Sequence, residues 1–203
     1  QVRRHAASSF RVAFDWLICP IFFSMPSRDR SRSPVRCDLA DAEYYLKACG
    51  VPTGLPKLGI RFGGNEINGS ASSFKRKAAK FLQGKPDVRF DSAFGTCCMV
   101  YLTPDAPERN GDDRPGYDGP MLHWCVSECE GGKAAGGREH IPHMGPVGSK
   151  GRQRYIFVLF KQDGGVKFPK GLDRKKWDFP GFVAANRDNL KPVAVNFFYC
   201  TNE

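Results

Sequence analysis

The sequence predicts a mainly β domain with helices at its periphery. Three short apolar runs rich in β-forming residues, at 97–102, 121–126 and 155–160, have the length and composition of buried strands. Each run starts or stops at a proline, a glycine or a polar residue, as strands do at the edge of a sheet. The 22 glycines and 15 prolines also favour a loop-rich β protein over a helix bundle.

A helix and a strand come first in the predicted domain. Residues 38–50 predict the helix, because Asp38 is placed to cap its start and Gly50 to end it. Its apolar side is expected to pack against the sheet. Apolar residues then alternate with other residues at 58–62, which predicts a half-buried strand, and the glycine pair at 63–64 turns the chain after it.

Residues 73–83 predict a second helix, which is amphipathic. In helical projection the apolar residues of this segment lie on one side and the basic residues on the other: Phe74, Ala78, Phe81 and Leu82 against Lys75, Arg76, Lys77 and Lys80. A basic face of this kind can contact anionic lipid or phosphate, although a solvated surface is the commoner use. Later in the chain, 177–185 predicts a short irregular or helical segment and 192–199 a final strand.

Residues 1–36 differ in composition from the rest and predict an extension, disordered or processed, ahead of one domain at 37–203. Seven arginines against two aspartates make this extension +5, half of the net charge of +10. Its apolar run at 12–23 is broken by Asp15 and Pro20 and is shorter than the roughly 20 residues that a membrane-spanning helix needs. Asp15 and the lack of a small-x-small cleavage site also argue against a secretory signal. A cytoplasmic location is therefore expected, with secretion as the alternative.

The eight cysteines fall in no regular spacing and predict buried free thiols. Cys97 and Cys98 are neighbours in a strand, so they should point to opposite faces of the sheet. A structural disulfide is the alternative if the chain is exported. His140 and His143 have a metal-like spacing, but no thiol or carboxylate pair accompanies them, and neither a metal nor another cofactor is predicted.

Three polar residues lie where the three buried strands meet loops. Asp105 follows the first strand inside a Pro-Asp-Ala-Pro tetrad that cannot continue a ladder, because proline has no backbone donor. His123 lies near the start of the second strand and Tyr155 at the start of the third. These strand ends can bring all three side chains to one pocket, where a histidine, a tyrosine hydroxyl and loop amides are suitable donors for an anion.

Several of these residues carry a resemblance to a known family. Pro-Asp-Ala-Pro at 104–107, Leu-His-Trp at 122–124, and Gly-Pro at 145–146 followed by Arg-Tyr at 154–155 resemble, in order and spacing, the two signature blocks of the phosphatidylethanolamine-binding proteins. Further similarity at 64–66, 86–90 and 190–198 extends the match from about residue 55 to the end. The resemblance implies an antiparallel β-sheet core with peripheral helices.

The resemblance also implies a ligand site. Its residues in this chain are Thr103, Asp105, Pro107, Tyr117, His123, Gly145, Pro146, Gln153 and Tyr155. Two positions depart from the family pattern: Thr103 stands where the family usually has aspartate, and Gln153 where it usually has histidine. Asp105 is expected to orient His123 or to meet the amine of a zwitterion. The Ala106–Pro107 bond is a candidate for the cis form, since a tight turn must bring Asp105 to the edge of the sheet.

The segment at 108–120 is the expected cover of the site, with Tyr117 as its aromatic residue. Some members of the family carry a C-terminal helix that borders the ligand. This chain ends at Glu203, directly after its last strand, so the pocket is expected to be open on that side.

The favoured function is a non-enzymatic binding and regulatory module. The resemblance implies a pocket for a phospholipid or phosphorylated headgroup and a signalling partner such as a kinase or a transcription regulator. A hydrolase using Asp105 and His123 is one alternative, although no Gly-x-Ser-x-Gly motif is present. Nucleic-acid binding through the basic helix and the arginine-rich extension is another, although the core has no motif of a known nucleic-acid reader.

Overall fold

The computed structural model describes residues 39–105, 120–147, 151–169 and 171–202. Helices and strands follow one another in this order: α1 Leu39–Ala48, β1 Gly59–Phe62, β2 Asn65–Glu66, β3 Ser73–Lys75, β4 Asp87–Arg89, β5 Cys97–Thr103, β6 Met121–Cys129, β7 Arg138–Ile141, β8 Gly151–Gln162, α2 Phe179–Asn186 and β9 Leu190–Asn202. Short 3-10 turns occur at Gly69–Ala71, Lys80–Gln83 and Ser92–Phe94. The predicted extension at 1–36, the segment at 106–119 and two of the eight cysteines, Cys19 and Cys37, lie outside the described residues.

The strands form two sheets. Six strands pair in the order β3-β9-β8-β5-β6-β7, and three pair in the order β2-β1-β4. All strand pairs are antiparallel except β3 with β9, which is parallel. The expected mainly β architecture is confirmed, and the larger sheet is mixed rather than wholly antiparallel.

The six-stranded sheet is covered on both faces. Along β5, Cys97, Met99 and Tyr101 point into one core, which the three-stranded sheet covers from the other side. Cys98 and Val100 point into a second core, together with side chains of both helices. A strand buried on both faces has no polar side, which is why β5, β6 and β8 appear in the sequence as continuous apolar runs. Cys97 and Cys98 face opposite sides, as predicted.

The helices form where local signals indicate them. In α1 the side chains of Ala42 and Leu46 are buried in the second core, and Gly50 adopts φ 82° just after the helix ends. A left-handed residue at this place is the usual stop of a helix, and glycine adopts it without strain. At the start of α2, the carboxylate of Asp178 accepts a hydrogen bond from the amide of Gly181 (2.9 Å). The predicted cap of α1, Asp38, lies outside the described residues.

The amphipathic helix predicted at 73–83 is wrong. The chain instead forms β3, a turn and a 3-10 turn. Pairing of β3 with the edge of β9 satisfies its backbone groups, and Phe74 packs edge-on against Phe81 and Phe198 with ring centroids 5.5 and 5.9 Å apart. Because packing on the sheet buries Phe74 more completely than a surface helix would, tertiary contacts override the local helical pattern.

The six cysteines that the structure describes are all free and buried. They are Cys49, Cys97, Cys98, Cys125, Cys129 and Cys200. Burial raises the pKa of Cys97 to about 11 and that of Cys129 to about 12, which keeps both thiols protonated and unreactive at neutral pH. For these six residues the expectation of buried free thiols is confirmed.

Candidate functional site at one end of the six-stranded sheet

Five strands of the larger sheet expose one common end, which we call the rim. Strands β5, β9 and β3 finish there, whereas β6 and β8 begin there. The register shows this directly, because Leu102 near the end of β5 pairs with Leu122 near the start of β6 and with Ile156 near the start of β8. The structure therefore brings Asp105, His123 and Tyr155 to the same end of one sheet.

A β-bulge aims His123 at Tyr155. Tyr101 pairs with Trp124, and the next pair along is Leu102 with Leu122, so His123 is an extra residue on β6. An extra residue bends the strand and re-aims its side chain. The imidazole of His123 lies 5.2 Å from the ring of Tyr155 and 5.0 Å from that of Tyr101, measured between centroids, and it is fully buried.

The protonation state of His123 follows from its partners. Its Nδ1 lies 2.9 Å from the carbonyl oxygen of Met144, and a carbonyl only accepts, so Nδ1 carries the hydrogen. Its Nε2 is buried without a hydrogen-bond partner among the described residues. Burial lowers the pKa of His123 to about 4, and the charge of Arg174 acts in the same direction. At neutral pH the ring is therefore uncharged and presents a lone pair at Nε2.

The loop at 142–147 is held against the 3-10 turn Lys80–Gln83. A Cβ added to Gly145 would lie 2.7 Å from the Cα of Gln83 and 2.7 Å from the carbonyl oxygen of Leu82, so only glycine fits there. The side-chain amide of Gln83 donates to the carbonyl of Pro146 (2.9 Å). Gly145 and Pro146 are both buried, and their role near His123 is to fix the loop that carries Met144.

Asp105 does not orient His123, so the first of its two expected roles is wrong. Its carboxylate accepts three hydrogen bonds from Arg154: from the backbone amide (2.9 Å), from Nε (2.7 Å) and from Nη2 (2.5 Å). A bidentate arginine pair of this kind uses both carboxylate oxygens. The hydrogen at Nδ1 of His123 is meanwhile bonded to the backbone. Asp105 and Arg154 neutralise each other, and Asp105 serves to hold the end of β5 against β8.

Gln153 and Tyr155 are joined by a hydrogen bond. The hydroxyl of Tyr155 donates to Oε1 of Gln153 (2.9 Å), and both side chains are buried. Burial raises the pKa of Tyr155, so its hydroxyl stays protonated and remains a donor. Thr103 is also fully buried, and its hydroxyl oxygen accepts from the backbone amide of Asp105 (3.4 Å). Both departures from the family pattern are thus neutral side chains that make internal hydrogen bonds.

Two further residues belong to this end of the sheet: Tyr101, which the sequence did not single out, and His143, for which the sequence allowed a place at the mouth of the pocket. Tyr101 stacks on His143 with ring centroids 5.9 Å apart and an interplanar angle of 7°. The Tyr101 hydroxyl and Nε2 of His143 are buried and have no hydrogen-bond partner among the described residues. In the sequence Tyr101 is an ordinary apolar residue of a strand. Its position two residues before Thr103, which places both side chains on the same face of β5, was the one feature that could have identified it. We call Tyr101, His123, His143, Gln153 and Tyr155 the rim cluster.

The remaining sequence predictions concern residues that the structure does not describe, a metal site and a membrane span. Pro107, Tyr117 and the Ala106–Pro107 bond lie outside the described residues. Ser127 and Nε2 of His140 are hydrogen-bonded (2.7 Å), and within the described parts of the chain no three metal-ligating side chains come together. None of the described helices is long and apolar enough to span a membrane.

A separate cavity of about 190 Å³ lies away from the rim cluster. It opens between α1, the loop at 52–57 and the middle of β9. Its polar lining includes Glu43, Lys57 and Asn68, and the Lys57 ammonium donates a hydrogen bond to the side-chain oxygen of Asn68. None of the described residues that the sequence assigned to the ligand site lines this cavity.

Curated proteins to which the chain is similar include one from yeast and two from plants. The carboxypeptidase Y inhibitor of Saccharomyces cerevisiae is 43% identical over 126 residues, which is 50% of this chain and 57% of the inhibitor. The protein MOTHER of FT and TFL1 homolog 2 of Oryza sativa is 30% identical over 105 residues, 49% of this chain and 57% of that protein. BROTHER of FT and TFL 1 of Arabidopsis thaliana is 27% identical over 149 residues, 71% of this chain and 79% of that protein. The chain thus spans a little over half of the first two relatives.

Solved structures show the same fold. The carboxypeptidase Y inhibitor in complex with its cognate proteinase matches with a TM-score of 0.60 at 22% identity, covering 82% of this chain and 94% of the inhibitor. The phosphatidylethanolamine-binding protein of Plasmodium vivax matches with a TM-score of 0.56 at 18% identity, covering 82% and 98%. No family model matches the sequence. The chain nevertheless has the fold of the phosphatidylethanolamine-binding proteins, and the family resemblance that its signature blocks indicate is confirmed.

Proposed function

We propose that this chain is a non-enzymatic binding and regulatory protein whose rim cluster accepts a small oxyanion, such as a phosphorylated headgroup. One observation carries the proposal: the Tyr101 hydroxyl, Nε2 of His123 and Nε2 of His143 are all buried without hydrogen-bond partners among the described residues. Buried polar groups in folded proteins are nearly always paired. The rings of His123 and His143 lie 5.0 and 5.9 Å from that of Tyr101, so three unpaired groups on these side chains favour a bound polar molecule.

The chemistry of the cluster suits a partly protonated phosphoryl group. The Tyr101 hydroxyl is a donor, whereas the neutral His123 offers a lone pair that can accept from a protonated phosphoryl oxygen. A phosphate monoester holds its second proton up to about pH 6. Alternatively the bound anion stabilises the imidazolium and His123 takes up a proton. In both cases binding is accompanied by proton uptake, so affinity should rise as the pH falls from about 8 to 6.

Two features argue for binding rather than catalysis. Asp105 is neutralised by Arg154, so it has no free carboxylate oxygen to act as a base or a nucleophile. Among the described residues no serine or cysteine is bonded to His123, and its Nδ1 hydrogen goes to the backbone carbonyl of Met144. The basic helix that supported the nucleic-acid alternative is not formed. A cytoplasmic location and a signalling partner, such as a kinase or a transcription regulator, complete the proposal.

The test is calorimetric titration with phosphorylethanolamine at pH 6 and pH 8. We expect binding that is tighter at pH 6, and we expect His123→Ala and Tyr101→Phe to weaken it about tenfold, the equivalent of one hydrogen bond to a charged group, because these variants remove two of the unpaired polar groups. His140→Ala is the matched control, since it removes a histidine that lies outside the rim cluster. Unchanged affinity in both cluster variants would show that the ligand does not use this site.

Turnover provides a separate check of the non-enzymatic character. We expect no hydrolysis of esters, peptides or phosphoesters by the purified chain. Robust hydrolysis that disappears in both Asp105→Ala and His123→Ala would overturn the binding-module proposal in favour of the hydrolase.

Inhibition of a carboxypeptidase is the second candidate function. The observation that favours it is the 43% identity to the carboxypeptidase Y inhibitor, a protein solved in complex with its cognate proteinase. The experiment is a residual-activity assay of carboxypeptidase Y with the chain in molar excess. Full residual activity, together with no complex in gel filtration, would exclude this enzyme as a target.

A further inference from the structure

Arg76 is a cation on the same face of the sheet as the rim cluster. Phe74 of β3 pairs with Cys200 of β9, and Cys200 pairs with Gln153 of β8, so these three side chains share a face. The amide of Arg76 donates to the carbonyl of Thr201 (2.9 Å) and continues the β3 ladder by one residue. Since alternate residues of a strand point to the same side, Arg76 lies on the face of Phe74 and Gln153.

The surroundings of Arg76 place its charge close to the cluster. Burial raises the pKa of Cys200 to about 11, and the positive charge of Arg76 acts in the opposite direction. Burial likewise raises the pKa of Tyr155, again against the charge of Arg76. A row of aromatic rings connects β3, the strand next to Arg76, with Tyr155. Phe74 of β3 packs on Phe198, and Phe198 stacks on Tyr155 with ring centroids 5.1 Å apart.

The Arg76 side chain has no partner in the described part of the chain. Its Nε is buried and makes no hydrogen bond, and no carboxylate there lies within ion-pair distance of its guanidinium. A half-buried guanidinium without a partner loses hydration and gains nothing in return. By contrast, Arg154 of β8 is neutralised by Asp105.

The rim cluster itself carries no positive charge at neutral pH. His123 and His143 both have a pKa lowered to about 4 by burial, and Gln153 is neutral. An oxyanion bound there needs a cation within reach, and a guanidinium fork matches the geometry of phosphoryl oxygens. Arg76 is a cation that the fold presents on this face, and its charge acts on Tyr155.

We infer that Arg76 completes an oxyanion subsite beside Gln153 and Tyr155, in which its guanidinium binds the phosphoryl oxygens. This inference rests on the proposed function and adds the residue that supplies the charge. The subsite takes phosphoryl oxyanions, whether free or at the headgroup of a lipid. Arg76 belongs to the segment that the sequence assigned to a basic surface helix, and formation of β3 turns it toward the site.

The first experiment compares Arg76→Met, Arg76→Lys and wild type by calorimetric titration with inorganic phosphate. We expect Arg76→Met to lose at least about tenfold in affinity, because it removes a charge-assisted hydrogen bond, and Arg76→Lys to lose less because it keeps the charge but not the fork. Lys75→Met is the matched control, since it removes one charge from the opposite face of the same strand. Equal affinities of wild type and Arg76→Met would overturn the inference.

A thermal unfolding series separates ligand binding from a structural role. Without phosphate, Arg76→Met should unfold at the same temperature as wild type or higher, because methionine removes an unpaired, half-buried charge. With phosphate, the unfolding temperature of wild type should rise and that of Arg76→Met should not. A variant that is less stable without phosphate, or fails to fold, would assign Arg76 to the framework of the fold and contradict the inference.

Tyr101→Phe and vesicle binding distinguish the remaining outcomes. If Tyr101→Phe weakens phosphate binding and Arg76→Met does not, the inference is wrong and the proposed function stands. If wild type binds neither inorganic phosphate nor vesicles of phosphatidylcholine with phosphatidylethanolamine, both are wrong. Loss of phosphate binding alone in Arg76→Met indicates a site for free anions, whereas parallel loss of vesicle binding indicates a lipid headgroup.

Discussion

Replacement of His123 by asparagine should make the protein less sensitive to acid. His123 is buried and its pKa is lowered to about 4, whereas the unfolded chain binds this proton with a pKa near 6.5. Between these two values the unfolded state holds more protons than the folded state, so the free energy of unfolding falls as the pH is lowered from about 6.5 to 4. Above pH 6.5 the residue has no such effect.

The magnitude follows from the difference between the two pKa values. At pH 4.5 the unfolded histidine is almost fully protonated and the folded one only partly, which corresponds to a loss of about 2.5 kcal/mol relative to pH 7.5. Asparagine cannot titrate, and its amide can still donate to the carbonyl of Met144. We therefore expect His123→Asn to lose about 2.5 kcal/mol less than wild type over this range.

The assay is urea unfolding of both proteins at pH 7.5 and pH 4.5, with the free energy taken from the midpoint and slope of each transition. His140→Asn is the comparison variant, because this half-buried histidine of β7 lies outside the rim cluster. Burial lowers the pKa of His140 as well, but His140 is less buried than His123, so its replacement should reduce the acid sensitivity by less. Carboxylates that titrate in the same range affect all three proteins equally and cancel in the comparison. Parallel losses in wild type and His123→Asn would show that His123 is not held neutral by burial, and the donor and acceptor assignment at the rim cluster would fail.

Three further predictions concern individual residues of the site. Arg154→Gln should destabilise the fold by about 2 kcal/mol, since it leaves the carboxylate of Asp105 partly buried and unpaired. A double-mutant cycle with Asp105→Asn, measured by urea unfolding, should show positive coupling. Additive effects would contradict the bidentate pair of Arg154 and Asp105. Gly145→Ala should lower the free energy of unfolding by about 1–3 kcal/mol, because the added Cβ clashes with the facing turn. Gly165→Ala should be close to neutral in the same thermal unfolding assay, since nothing lies near the position of its Cβ. Equal effects would contradict the close approach at Gly145. Gln153→His should tighten phosphorylethanolamine binding severalfold below about pH 6.5, with the gain fading at higher pH in calorimetric titration, and a pH-independent result would refute a charge effect.

The sequence alone determined the central strands of the larger sheet, one helix and the place of the site. The apolar runs of β5, β6 and β8 are long enough and rich enough in β-forming residues that no other local structure competes with them, and α1 has a clear stop at Gly50. The signature blocks carry the family resemblance, because their order along the chain is itself specific. From these features follow the mainly β fold and the common end at which Asp105, His123 and Tyr155 lie.

Only the tertiary structure decided which groups face each other at that end. A helical pattern at 73–83 became β3 because the edge of β9, more than a hundred residues away, offered hydrogen bonds and a surface for Phe74. A one-residue bulge aimed His123 at Tyr155, and Arg154 took the carboxylate that the sequence had assigned to the histidine. Strand pairing, register and burial are long-range properties, so neither the charge of His123 nor the position of Arg76 is present in the local sequence.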